Sequence, residues 1–266
     1  MLEQRFSATH GTTIHETFLF HRYLDMLFLK PSMAATKLFI GPLVDFILPH
    51  LCPGCQTKMQ TPGFCPSCWM KLDFITPPYC QLCANPSALS GKNLCRSCQA
   101  DIPLFHSHRA LWAYGSLSRR IVFALKHGRQ RYLAHLIAPW LVPLALCHRV
   151  DFLVPVPLHP HRLAQRGFNQ SALLASALSR LTGIPVAIEG LNRPYKASSQ
   201  GRFSAQKRKE NVMGIFTSSR DWDGQNILLI DDVFTTGATL NACTQALREA
   251  NAHHVHGLTL AKVISG

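Results

Sequence analysis

Acidic side chains are scarce in this sequence. Its 266 residues hold 14 Asp and Glu against 27 Lys and Arg, a formal net charge of +13. That deficit excludes an acidic solvating chain and favours polyanionic partners such as nucleic acid or pyrophosphate, without saying which. Charged residues make up only 15% and hydrophobic ones 47%, which excludes a disordered chain and leaves room for a sizeable core and two domains. Long apolar runs are also missing. Phe18 to Lys30 is broken by His21, Arg22 and Asp25, and Leu38 to Leu51 is short and contains Pro42, Asp45, Pro49 and His50. Neither reads as a membrane span or a secretory signal, so a reducing cytoplasm is the expected compartment. A Walker phosphate loop is lacking as well: the Gly91-Lys92 pair has neither the upstream Gly nor the following Ser or Thr.

Cysteine, by contrast, is plentiful. Eight of the ten fall in C-x-x-C pairs: Cys52/Cys55, Cys65/Cys68, Cys80/Cys83 and Cys95/Cys98. Two knuckles at this spacing supply four thiolates for tetrahedral zinc, so the set suits two structural Zn²⁺ ions. Sequential pairing (52/55/65/68, then 80/83/95/98) is the simplest assignment, and a cross-braced one is compatible with the same spacing. Disulfides suit neither the compartment nor such tight pairs, and thioredoxin-like redox chemistry would want one such motif beside a βαβ pattern. Closed Cys₄ sites fold segments too poor in core to fold alone. Cys147 and Cys243 sit in apolar helical patterns and read as core residues.

The chemistry concentrates in Ile227 to Thr239. Four aliphatic residues, Ile227 to Ile230, predict a strand buried on both faces and ending at Asp231-Asp232. Thr235, Thr236, Gly237, Ala238 and Thr239 form a hydroxyl-rich turn, and Thr239 to Arg248 continues as a helix. This order describes a ligand site at the carboxyl end of an α/β sheet. Unpaired N–H groups and the dipole at the helix start attract an anion, and Gly237 lets the backbone approach it. The two carboxylates suit sugar hydroxyls, Mg²⁺ or a developing cation instead. A ribose 5-phosphate satisfies both halves.

Elsewhere, residues 50–103 are loop-rich and hold the cysteine pairs. Strands are predicted at 110–114, 151–158 and 255–263, and helices at 117–125 and 169–181 with Asn169 as N-cap. Pro139 and Pro143 should bend or break the apolar segment 133–147. Residues 159–168 read as a basic loop with Arg162 and Arg166. Residues 193–211 are polar and basic, as a lid or binding loop would be, and include Arg193, Lys196, Arg202, Lys207, Arg208 and Lys209. The pattern becomes interpretable only from about Leu38, so Met33 competes with Met1 as the start. The expected divisions are an unassigned extension 1–37, an apolar lead-in with the Cys-rich segment at 38–104, and an α/β domain at 105–266.

In this order the cysteine pairs, Leu125-Lys126, Val154-Pro155-Val156-Pro157-Leu158-His159, Arg166-Gly167-Phe168-Asn169-Gln170, Gln200, Arg208 with Asn211-Val212, and Asp231 to Thr239 resemble the ComF/GntX-like (ComFC) phosphoribosyltransferase family. The resemblance covers about residues 38–264. It implies an α/β fold, a type I phosphoribosyltransferase-like mostly parallel sheet flanked by helices, behind an N-terminal double zinc ribbon. It also implies a pocket for 5-phosphoribosyl-1-pyrophosphate (PRPP) with Mg²⁺. Thr235 to Thr239 would cradle the 5-phosphate, Asp231 and Asp232 would hold the ribose hydroxyls and act in any catalysis, and Arg166 and Lys126 would meet the pyrophosphate.

Three functions follow as expectations. In the first, a PRPP-binding competence protein handles incoming single-stranded DNA in natural transformation. Its cationic groove would draw on residues 193–209 with Arg119, Arg120, Lys126, Arg129 and Arg131, and bases would stack on Trp112, Tyr114 or Tyr132. The second is an active phosphoribosyltransferase on an unidentified base or small acceptor. The third is a non-catalytic PRPP-sensing adaptor that docks other competence or DNA-processing proteins.

Overall fold

The structure is a computed structural model, described over residues 50–86, 93–127, 130–194 and 215–264. The expected lead-in at 38–49, Arg129 and Lys196, Arg202, Lys207, Arg208 and Lys209 lie outside the described residues. The described residues from Leu51 onward belong to one compact unit, which holds the cysteine pairs and the sheet.

The sheet has β1 (Ser107–Ala113), β2 (Phe152–Pro155), β3 (Ile227–Phe234) and β4 (Val255–Lys262) in the order β1-β4-β3-β2. Every pairing is parallel. Parallel strands are covered on both faces, and the sequence obeys: Ile227, Leu228, Leu229 and Ile230 are all buried, as is all of β1 except Ala113. The helices are α1 (Ser116–Lys126), α2 (Leu133–Leu146), α3 (Pro160–Arg166), α4 (Gln170–Thr182) and α5 (Ala238–Glu249).

The structure departs from the sequence expectations in three places. β3 does not end at the acidic pair but runs on to Phe234, with Asp231 opposite Thr259 and Val233 opposite Ala261 of β4. The apolar segment with Pro139 and Pro143 is one helix, α2, neither broken nor divided. Its buried stripe (Leu133, Ala134, Ile137, Ala138, Leu141, Val142, Ala145) packs on α4 and β1, and that burial outweighs the two lost N–H donors. Third, the expected basic loop after β2 contains α3, with Pro160 in its first turn and Gly167 at φ 76° ending it.

The cysteine segment is built twice on one plan. The first C-x-x-C of each half is a knuckle closed by backbone bonds, Gln56 N–H to Cys52 O and Ala84 N–H to Cys80 O. Each knuckle turns through a left-handed residue at the same offset, Gln56 (φ 64°) and Ala84 (φ 58°). The second C-x-x-C of each half straddles the start of a one-turn helix, Pro66–Trp69 or Arg96–Ala100. The link between the halves bonds to the outer edge of β1: Ala113 donates to Asp73 and Ile75 to Leu111. An otherwise open sheet edge is thereby covered.

Candidate functional site

The acidic pair lies at the carboxyl end of β3, facing the amino terminus of α4. The Asn169 side chain accepts from Ser171 N–H and donates to Val156 O at 2.9 Å, so α4 is capped and tied to the exit of β2. Its first two residues then reach both carboxylates. Ser171 Oγ donates to Asp231 Oδ1 at 3.1 Å, and Gln170 Nε2 donates to Asp232 Oδ2 at 2.6 Å. Lys126, in the last turn of α1, places Nζ 3.1 Å from Asp232 Oδ1. Arg166 donates to Gln170 Oε1, so Arg166, Gln170, Asp232 and Lys126 form one continuous chain.

The two carboxylates are therefore unequal. Asp232 is buried and has a cation and an amide as partners. Among the described residues, Asp231 receives the Ser171 hydroxyl and the Asp232 N–H. Burial first, and the neighbouring Asp232 charge second, push the Asp231 carboxyl up to about 7, against the pull of those two hydrogen bonds. Gln170 and Ser171 were not among the site residues expected from sequence. The signal was the Asn-Gln-Ser run at a helix start, which local reading takes for a cap.

Beyond the pair, the chain turns through Thr235 and Thr236 into α5. Gly237 is the N-cap at φ 82°, and a Cβ there would come within 2.9 Å of the Phe234 ring. Left-handed backbone and lack of space both demand glycine. Thr235, Thr236, Ala238 and Thr239 are exposed around this helix start. The fold thus brings together the expected residues Asp231, Asp232, Lys126 and Arg166 at one strand end, with the α5 amino terminus following from the same strand.

Of the expected cations within 193–209, Arg193 is described; of the groove cations outside that stretch, Arg119, Arg120 and Arg131 are exposed and Lys126 is paired with Asp232. Arg193 is half-buried, with its guanidinium 5.3 Å from the Phe216 ring. Burial and then the charge of Arg162 lower its pKa. Trp112 is corrected as a stacking residue: it is fully buried, within a ring cluster with Phe64, Phe74 and Trp140. Tyr114 and Tyr132 are exposed, at 37% and 46%.

The cysteines converge in two groups, Cys52/Cys55/Cys65/Cys68 and Cys80/Cys83/Cys95/Cys98, each with its sulfurs within 4.8 Å of one another. Pairing is sequential, and the cross-braced alternative is overturned. Tetrahedral zinc–thiolate bonds put sulfurs about 3.8 Å apart, close to the 3.5 Å of Cys55–Cys65 and 3.6 Å of Cys83–Cys95. Such clusters resist ionising together: Cys55, bonded to Thr57, falls to about 6, whereas burial and its neighbours drive Cys68 up to about 12. A divalent ion removes that conflict, so both groups fit structural zinc. No disulfide joins any of the ten cysteines. Cys243 is buried as expected, but Cys147 is only half-buried and donates to Leu144 O at the end of α2.

The two clusters differ in setting. Cys55 is exposed, whereas the second cluster is wholly buried and belongs to the same core as Phe105, Phe234 and Leu240. The Phe234 ring lies between His108 at 4.1 Å and Phe105 at 6.0 Å, with Lys262 Nζ 4.3 Å above it. Leu104 N–H donates to Asn241 in the first turn of α5. Ribbon and pocket loop are thus packed on common residues.

Comparison with known proteins agrees with this architecture. A double zinc ribbon domain model matches residues 43–101 and a phosphoribosyl transferase domain model matches residues 168–266. Competence protein F of Haemophilus influenzae is 27% identical over 80% of this chain and 90% of its own length. DNA utilization protein YhgH of Escherichia coli K12 is 29% identical over 77% of this chain and 100% of its own. Among the described residues, no helix is long and apolar enough to cross a membrane. With 30% identity to competence protein ComFC of Bacillus subtilis over 74% of this chain and 83% of that one, and with both domains in place, the chain belongs to the ComF/ComFC family.

Proposed function

We propose that this protein binds PRPP with Mg²⁺ at the Asp231–Thr239 pocket and handles single-stranded DNA during natural transformation, in the cytoplasm. The observation that carries the first half is the junction of a paired acidic strand end with a glycine-capped helix start, within a matched phosphoribosyl transferase domain. The α5 N–H groups and the hydroxyls of Thr235, Thr236 and Thr239 would take the 5-phosphate. Asp231 and Asp232 would accept from the ribose hydroxyls. Lys126, 3.1 Å from Asp232, and Arg166, linked to Asp232 through Gln170, would turn to the pyrophosphate. Mg²⁺, when bound, would neutralise that group's charge. The names of relatives support the second half: they are a competence protein and a DNA utilization protein. The net charge of +13 and the basic residues 193–209 supply the electrostatics for a polyanion. In this reading residues 38–104 form the ribbon module, open to other DNA-processing proteins, and 105–266 the PRPP-binding domain.

Calorimetry with PRPP and Mg²⁺ tests the first half. Wild type should bind and Asp231→Ala and Asp232→Ala should not; equal heats in all three would remove the pocket. Single-strand affinity tests the second. It should fall with salt at a slope of about −0.7 per phosphate contact, and a flat response would exclude it. Transfer to a base or other acceptor is the competing reading. In that reading the Asp231 carboxyl, pushed up to about 7, would face the positive charge that develops on the ribose ring. Pyrophosphate release that is equal in wild type and both Asp variants would exclude catalysis.

A further inference from the structure

The outer face of α1 lies beside the pocket but takes no part in it. The helix turns Leu117, Ser118, Ile121, Val122 and Leu125 inward and leaves Arg119, Arg120, Phe123 and His127 at the surface. Phe123 is 61% exposed, the most exposed Phe, Tyr or Trp among the described residues. Its ring lies 3.9 Å from that of His127, inclined at 36°. Spacings of three and four residues put both arginines one turn before Phe123 and His127 one turn after it, on a single face. No acidic residue occurs in α1, and neither arginine has an ion-pair partner among the described residues.

The helix also connects two other features. Lys126, in its last turn, is 3.1 Å from Asp232. At its other end, a Cβ on Gly54 of the first ribbon would come within 2.9 Å of Leu117 Cδ1. The exposed rings thus lie on a helix that packs on the zinc ribbon and ends at the acidic pair.

We propose that this face is a platform for single-stranded DNA, with a base stacked on the Phe123–His127 rings and backbone phosphates held by Arg119 and Arg120. The proposal rests on the DNA-handling reading above and assigns it a place. An aromatic face accepts any base, and cations without acidic neighbours one turn away meet the phosphates that flank it. A protein partner would have to bury two guanidinium groups, without ion-pair partners among the described residues, against the same rings, at a desolvation cost that a polyanion with its own charges offsets.

The test uses the full-length, zinc-loaded protein and a fluorescent oligothymidylate of about 20 nucleotides, read by anisotropy across a KCl series. Phe123→Ala should weaken binding roughly 5- to 150-fold, the effect of losing one stacked base, and Phe123→Trp should restore it. The double variant Arg119→Gln/Arg120→Gln should lower the salt slope by about 1.4. PRPP binding and zinc content should stay at wild-type levels in all of them. A wild type that binds the oligonucleotide, with Phe123→Ala and the arginine variant matching it, overturns the platform and leaves DNA handling standing. A wild type that does not bind it overturns both.

Discussion

Asp231 is the residue on which the pocket's pH response turns. Its carboxyl sits at about 7 because burial and the adjacent Asp232 charge disfavour ionisation. Only the ionised form serves Mg²⁺ or draws a hydroxyl strongly, so on the proposed function affinity for PRPP with Mg²⁺ should decline as pH falls through 7. Ser171 opposes the upward shift with its hydroxyl at 3.1 Å. Ser171→Ala should therefore move the midpoint of that decline to higher pH, visible in calorimetric titrations at several pH values; an unchanged midpoint would remove Ser171 from the pocket's electrostatics. Gly237 acts through sterics instead. Gly237→Ala forces a side chain into left-handed backbone and against the Phe234 ring, at a stability cost of roughly 1–2 kcal/mol before the clash is counted. A lowered Tm with loss of PRPP binding is expected.

Elements differ in how far they could be read from their own residues. α4 was legible down to its cap, because Asn169 and the stripe through Leu174 and Leu178 are local signals. β3 was legible in its first half only. Asp231 and Asp232 look like a strand end, yet stay in the ladder because α4 and α1 supply partners from distant positions. α2 hid for the same reason: its prolines are local, whereas the packing that overrides them is not. The zinc ribbons divide in another way. Their ligand sets were readable, but not that one is exposed and the other embedded. Cys55→Ser should lose one of two zinc ions with the proposed PRPP pocket preserved, since Cys55 is at the surface. Cys83→Ser should lose the second ion and loosen α5 with it, through Phe105, Phe234 and the Leu104–Asn241 bond. Metal analysis with hydrogen exchange over 234–241 distinguishes them, and equal protection in the two variants would reject the coupling.

At the scale of the whole molecule, the sheet gathers histidines from far-apart segments at its amino edge, opposite the pocket. Ser107 Oγ is 2.8 Å from both His148 Nε2 and His256 Nδ1, and those two rings stack at 4.0 Å. His106 and His254 lie 4.3 Å apart beside them, with Arg109 also near. Burial first, then the neighbouring charges, lower His148 to about 4 and His256 to about 2. The unfolded chain takes up these protons near 6.5 and the folded one does not. The stabilisation is thus complete above about 6.5 and is lost progressively as pH falls toward the folded values, by on the order of a few kcal/mol. Urea denaturation should show midpoints that fall below pH 6.5, and His256→Phe should flatten the dependence; a flat wild-type profile would contradict the neutral cluster.

The sequence alone determined the chemistry available: four cysteine pairs for two ions, an acidic pair after an aliphatic strand, and a glycine with threonines at a helix start. These are short-range patterns, in which a few neighbouring residues already satisfy a ligand's geometry. Tertiary structure alone decided who stands opposite whom. Lys126, Gln170 and Ser171 meet the carboxylates because β2, β3 and the ends of α1 and α4 converge, over sequence separations that no local pattern encodes. Burial was decided there too. It removed Trp112 from the surface, exposed Phe123, and raised Asp231 into the neutral range, since desolvation depends on what packs around a group and not on what precedes it in the chain.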